Sequence, residues 1–117
     1  MENEMDDKDI ALANPKVQYR SLLREDGCTV LQTTIQPGGE TQWHHHTHVS
    51  DQFVVVRGVL TVEYRIAGRI ERTEVRGFHS VDPGVVHHVR NDTDEPLVYI
   101  MVQAGGVPDI VLAGPSA

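Results

Sequence analysis

Turn signals cut this chain at short, regular intervals, and nothing between them has room for a long packed helix. Arg24-Glu25-Asp26-Gly27, Gln36-Pro37-Gly38-Gly39, Arg57-Gly58, Ala67-Gly68-Arg69, Arg76-Gly77, Asp82-Pro83-Gly84 and the stretch 91–96 carry the punctuation. Glycine supplies positive φ, proline fixes φ near −65°, and Asn and Asp make local turn bonds. The segments between them are rich in β-branched residues, and 17–23, 29–35, 53–56, 59–66, 70–75, 78–81, 87–90 and 97–102 read as strands. Val62, Tyr64 and Ile66 alternate with Thr61, Glu63 and Arg65, the pattern of a half-buried strand, and Ala67-Gly68 reads as its hairpin turn. Helical periodicity is confined to a turn or two at 9–13, before Pro15. Without intervening helices, parallel crossovers cannot form, which excludes doubly wound α/β folds. The expected class is therefore all-β, a small antiparallel sandwich or barrel.

The 117 residues allow one domain. Residues 1–9 hold five acids against Lys8 and read as an acidic, solvated tail. A single barrel domain is expected over 10–104. Residues 105–117 form a C-terminal extension in which Ile110-Val111-Leu112, between Pro108 and Pro115, could add an edge strand, kept within the chain or exchanged with a partner. A net charge of −7 argues against nucleic-acid binding, which needs a basic face. No apolar run approaches a membrane span, and the acidic start does not resemble a secretory signal. Cys28 is the one cysteine, so no intrachain disulfide can form. These features suggest a cytoplasmic protein, and small sheets with exposed edges suggest a homodimer. Aromatic residues are only 5%, so the core must rest mainly on Val, Ile and Leu.

All seven histidines lie between His44 and His88. In Trp43-His44-His45-His46-Thr47-His48, an extended backbone sends His44, His46 and His48 to one face and His45 and Thr47 to the other. Imidazoles converging from one face can share a metal at about 2.0–2.2 Å. Asp51, at the start of the next apolar segment, and His87, after the Asp82-Pro83-Gly84 turn, complete a set of three imidazoles and one carboxylate. That set leaves coordination positions open, as a substrate-binding metal requires.

These residues also carry a resemblance. Gly38, five residues, His44, one residue, His46, four residues, Asp51, six residues and Gly58 resemble the first motif of the cupin superfamily, with Asp51 where the family usually has Glu. The stretch 77–91 resembles the second motif through Gly84, His87 and Asn91. It departs from that motif in having Asp82 at the usual proline position and one residue fewer after Gly77. The resemblance implies a single-domain antiparallel jelly-roll β-barrel. It also implies one divalent transition metal (Fe, Mn, Ni, Co or Zn) held by His44, His46, Asp51 and His87. Asp51 is shorter than Glu by a methylene, and Gln52 is its rival as fourth ligand. A shifted set of His46, His48 and Gln52 also obeys strand alternation but loses the glycine register.

His48 is a candidate for the pocket mouth as a proton carrier. His45 and His88 are expected at the surface or an interface, and His79 in a structural role. Arg65, Arg69, Arg72 and Arg76, interleaved with Glu63, Glu71 and Glu74, read as a solvated, charge-paired face. Trp43, Phe53, Tyr64, Phe78 and Tyr99 read as core, one or two of them walling a pocket. The expected function is metal-dependent chemistry of dioxygenase, isomerase or lyase type on a small organic molecule. A loosely held Asp51 could serve as general base. The alternatives are a non-catalytic module that binds metal or a small ligand, and a metal-free structural relative.

Overall fold

The structure, a computed structural model, describes residues 15–114. The acidic tail and the turn expected at 9–13 lie outside the described residues. Those described form strands β1 (Val17–Glu25), β2 (Cys28–Ile35), β3 (His44–His45), β4 (Ser50–Arg57) and β5 (Leu60–Ile66). They continue with β6 (Arg69–Val75), β7 (Phe78–Val81), β8 (His87–Arg90), β9 (Leu97–Ala104) and β10 (Val111–Leu112). The strands make two antiparallel sheets, ordered β1-β2-β9-β4-β7 and β10-β3-β8-β5-β6. The all-β class expected from strand length and turn spacing is observed, in the jelly-roll arrangement that the cupin resemblance implies. No helix among the described residues is long and apolar enough to cross a membrane.

Period-two alternation fills the space between the sheets. Leu97, Tyr99, Met101 and Gln103 of β9 point inward, as do Thr29, Leu31, Thr33 and Ile35 of β2. Register pairs Ile35 with Leu97 at one end and Thr29 with Gln103 at the other. The inward row thus runs from aliphatic to polar along the barrel. Ile35, Leu60, Val62 and Leu97 are fully buried at the apolar end.

Two turns of the expected punctuation hold this arrangement. Asn91, itself fully buried, donates from Nδ2 to Ile35 O (2.9 Å) and Glu95 O (2.7 Å), and its own carbonyl accepts from Gly38 N (2.9 Å). It ties the loop after β2 to the loop after β8. Gly58, at φ +92°, lets β4 turn into β5 where a Cβ would meet Pro96 O at 3.1 Å and Leu97 Cα at 3.2 Å. Gly58→Ala should therefore destabilise the fold by about 1–3 kcal/mol, read as a lower urea midpoint with an unchanged m-value.

The outer face of the second sheet differs from the solvated face expected of it. His88 is 3% exposed, not a surface residue, because its ring stacks on Trp43 at 4.0 Å and Nε2 donates to Glu63 Oε1 at 2.7 Å. Trp43 in turn lies under the Arg65 guanidinium (4.3 Å), on the outside of the barrel and not in its core. Phe78, also expected in the core, is 64% exposed. Arg69–Glu71 and Arg76–Glu74 are exposed pairs as expected. Glu63, by contrast, is buried and takes two bonds from Arg72 and one from Arg90. Burial alone would raise its pKa, but the bonds from His88 and Arg72 outweigh it and hold the carboxyl down to about 2. A lowered folded-state pKa gives stability that is present above about 4.5 and lost as pH falls toward 2. Glu63→Gln should cost about 2 kcal/mol at neutral pH. In urea titrations from pH 7 to pH 2, its deficit against the parent should shrink below pH 4.5.

Candidate metal centre

The polar end of the barrel is assembled from both sheets. In the second sheet, β3 lies antiparallel to β8 with His44 directly opposite His87. In the first, Asp51 of β4 is opposite Gln103 of β9. His46 follows β3, where its carbonyl accepts from Gly84 N (2.7 Å) and fixes the loop against the Asp82-Pro83-Gly84 turn. Only His44 and His45 of the expected extended run pair as a strand, yet His44 and His46 do share a face, their rings 4.9 Å apart.

His44, His46, Asp51 and His87 come together so that one ligand-capable atom from each lies within 4.8 Å of all the others. Each imidazole is oriented through Nδ1–H to a backbone carbonyl. His44 donates to Gln42 O (2.6 Å), His46 to Asp109 O (2.5 Å) and His87 to Val85 O (2.8 Å). A carbonyl can only accept, so Nδ1 carries the proton and Nε2 is left to the interior. His46 Nε2 and His87 Nε2 lie 2.9 and 3.1 Å from the same oxygen, Asp51 Oδ2. Two imine lone pairs against a carboxylate oxygen repel unless a cation sits among them.

The electrostatics agree. Burial alone would raise the Asp51 pKa, but His46 and His87 hold it well below the usual carboxylate range. Burial and the neighbouring His87 and His46 push His44 down to about 3. For His46, burial is outweighed by Asp51, and its pKa is raised. A proton or a metal can supply the required positive charge. Ligand atoms around a metal at 2.0–2.2 Å stand about 3–4.4 Å apart, so the four groups could close on one ion with modest side-chain shifts.

Other expected residues fall elsewhere. Gln52 lies on the opposite face of β4, where Nε2 donates to Ser50 Oγ (3.4 Å), and it does not line the cavity. His48 is exposed and is not part of the cavity wall, so the shifted set does not assemble. His79 meets the Tyr64 hydroxyl through Nε2. Asp51 is 1% exposed and held on both oxygens, so it is not the loose, basic carboxylate considered from sequence.

Two residues escaped the sequence reading. Gln103 donates from Nε2 to Asp51 Oδ1 (3.0 Å) and fixes the carboxylate so that Oδ2 faces the histidines. Extending the Leu97, Tyr99, Met101 alternation by one step would have found it. Asp109 could not be found that way, because its contacts are made 62 and 63 residues away. Its carbonyl holds His46, while its carboxylate accepts from Thr47 N (2.8 Å) and Thr47 Oγ1 (2.6 Å). Residues 105–112, set apart from the barrel on sequence, thus run back across its mouth, and β10 pairs with β3 of the same chain.

The sequence profile of the family described as Cupin domain matches residues 31–103, from β2 to β9. The chain belongs to the cupin family. Solved structures with this fold include an uncharacterised conserved protein with a double-stranded beta-helix domain from Klebsiella pneumoniae subsp. pneumoniae MGH 78578. It is 24% identical, with a TM-score of 0.71 and 85% of each chain covered. An oxalate oxidase in complex with glycolate is 18% identical at a TM-score of 0.71, covering 83% of this chain and 55% of that one. An oxalate decarboxylase formate complex from Lactobacillus farciminis is 18% identical at 0.67, covering 83% and 31%. No curated protein matches the chain in sequence. These structural likenesses establish the shared cupin barrel.

Asp109→Ala keeps the carbonyl but removes both bonds to Thr47. It should speed proteolytic cleavage within 105–112 in a timed digest against the parent chain.

Proposed function

We propose that this cupin holds one divalent transition metal on His44, His46, Asp51 and His87 and acts on a small organic molecule there, by dioxygenase-, isomerase- or lyase-type chemistry. One observation carries the reading. Three imidazoles, each fixed by Nδ1–H on a backbone carbonyl, belong to a set, buried but for the half-buried His44, whose ligand-capable atoms gather around a carboxylate. Backbone-fixed imidazoles of this kind are the usual support of metal ligands. Three nitrogens and one oxygen suit Fe, Mn, Ni, Co or Zn. The chemistry such an ion supplies is polarisation of a substrate carbonyl or hydroxyl, or a place for dioxygen beside it.

The chain's own groups set the conditions. Asp51 stays ionised, and Gln103 keeps its outer oxygen occupied. His44, neutral down to about pH 3, needs no deprotonation. His46 holds a proton more readily than a free imidazole, because the Asp51 carboxylate beside it raises its pKa, so an ion there competes with that proton. The buried apolar wall of the adjoining cavity, with Leu31, Phe53 and Val89, limits the water that reaches a bound molecule. Oxalate oxidase and oxalate decarboxylase, named among the structural neighbours, support oxidation or decarboxylation as chemistries that a barrel of this shape can house.

Metal analysis of the purified chain tests the reading. About one divalent ion per chain is expected. His44→Ala and His87→Ala should each lower metal affinity by more than the roughly 10–100-fold that loss of a supporting group costs. If neither changes metal content, the ligand assignment is wrong. The pH dependence has a defined sign, because the ion displaces the proton on His46. Affinity should fall as pH drops through and below the His46 range, by about tenfold per unit for each proton displaced. An affinity flat from pH 7 to pH 4 would contradict an imidazole site. Metal bound without turnover on oxo-acids, phenols or sugars would favour the non-catalytic binding module.

A further inference from the structure

The cavity beside the four clustered side chains has a volume of about 150 Å³. An aliphatic and aromatic cavity of that size admits benzene and excludes water. Here the deep wall is Leu31, Phe53, Val89, Tyr99 and Met101, all buried. The facing wall is the C-terminal strap, through Pro108, Ile110 and Leu112. Polar groups are unevenly placed. His44, His46, Asp51, His87 and Gln103 form one end, the exposed Gln42 and Arg24 mark the mouth, and Tyr19, Thr41 and Asp109 also line the wall. Arg24 is the one arginine or lysine among the described residues of the wall.

We propose that this cavity takes a molecule the size of a single ring, apolar over most of its surface and bearing one acidic oxygen, with that oxygen at the histidine end. The ring lies between the Phe53–Met101 wall and the strap. The oxygen's placement rests on the metal reading above, whereas the ring's placement rests on the cavity alone. A small dianion fits this space poorly, because its second charge would be buried against the apolar Leu31, Phe53, Val89 and Met101 side chains, with the wall's arginine, Arg24, at the exposed mouth. A fused bicyclic ligand exceeds the volume. The strap is part of the selectivity, since it supplies one of the two apolar walls and is fastened through Asp109 to Thr47 and His46.

Calorimetric titration of the full, Zn²⁺-loaded chain with benzoate, phenol, acetate and 2-naphthoate tests the proposal. Burying a ring of about 100 Å² should make benzoate roughly 30- to 100-fold tighter than acetate. Phenol should also bind more tightly than acetate, and 2-naphthoate should not compete. Acetate equal to benzoate, or 2-naphthoate as tight as benzoate, overturns the proposal. Ile110→Asp and Leu112→Asp, on the half-exposed strap, should each lower benzoate affinity at least about tenfold, by placing a charge on the apolar wall. Benzoate affinity unchanged in both, with the fold verified by circular dichroism, also overturns it. If the chain takes up no metal, the ligand assignment fails separately. Fluorobenzene titrated into the metal-free chain, followed by fluorine NMR, then decides the ring site: saturable binding supports it, and none overturns it.

Discussion

Everything at the working end of this barrel depends on one buried confrontation, between the Asp51 carboxylate and the Nε2 atoms of His46 and His87. The carboxylate comes from one sheet and His87 from the other, so the contact joins the sheets where the aliphatic core has ended. At the opposite end Ile35, Leu60 and Leu97 do that work by apolar burial alone. A buried carboxylate without positive partners would be strongly destabilising, and it is retained only because every polar atom around it is placed. Gln103 bonds its outer oxygen, and three backbone carbonyls hold the three rings. The arrangement needs positive charge, from a proton or a metal ion, to be complete.

His87 and His88 illustrate how finely strand alternation divides chemistry. One step along β8 separates a ring inside the barrel from a ring on its outside, and both are buried. The inner ring is surrounded by imidazoles and Asp51. The outer one is roofed by Trp43 and paired with Glu63, itself bonded by Arg72 and Arg90. The outer cluster has its positive charges in place, and it holds β5, β6 and β8 together from behind the site.

The strap gives the site its third side. By carrying Asp109 O to His46 and the Asp109 carboxylate to Thr47, residues 105–112 couple the orientation of a histidine to closure of the cavity. Pro108, Ile110 and Leu112 then decide what shape of molecule fits beside it. Arg65 reinforces the strap from outside, where its guanidinium donates to Gly114 O.

The sequence by itself determined the all-β class, eight of the ten described strands and the shared face of His44 and His46. Turn residues and period-two alternation are local properties, so β5, β6 and β7 could be placed within a residue or so. The motif glycines were also legible, because a positive φ such as that at Gly58 demands that residue type locally. Tertiary structure alone decided which polar residues became partners. Gln103 lay one step beyond the strand read over 97–102, and its partner Asp51 is set by register; His88 read as a surface or interface residue and Trp43 as core, and both are defined by neighbours on other segments. Asp109 is the extreme case, since nothing near it in sequence signals that its carbonyl will meet a ring 63 residues away. Hydrogen bonds and cavity walls depend on register and on closure of the chain through space, and no local pattern encodes those.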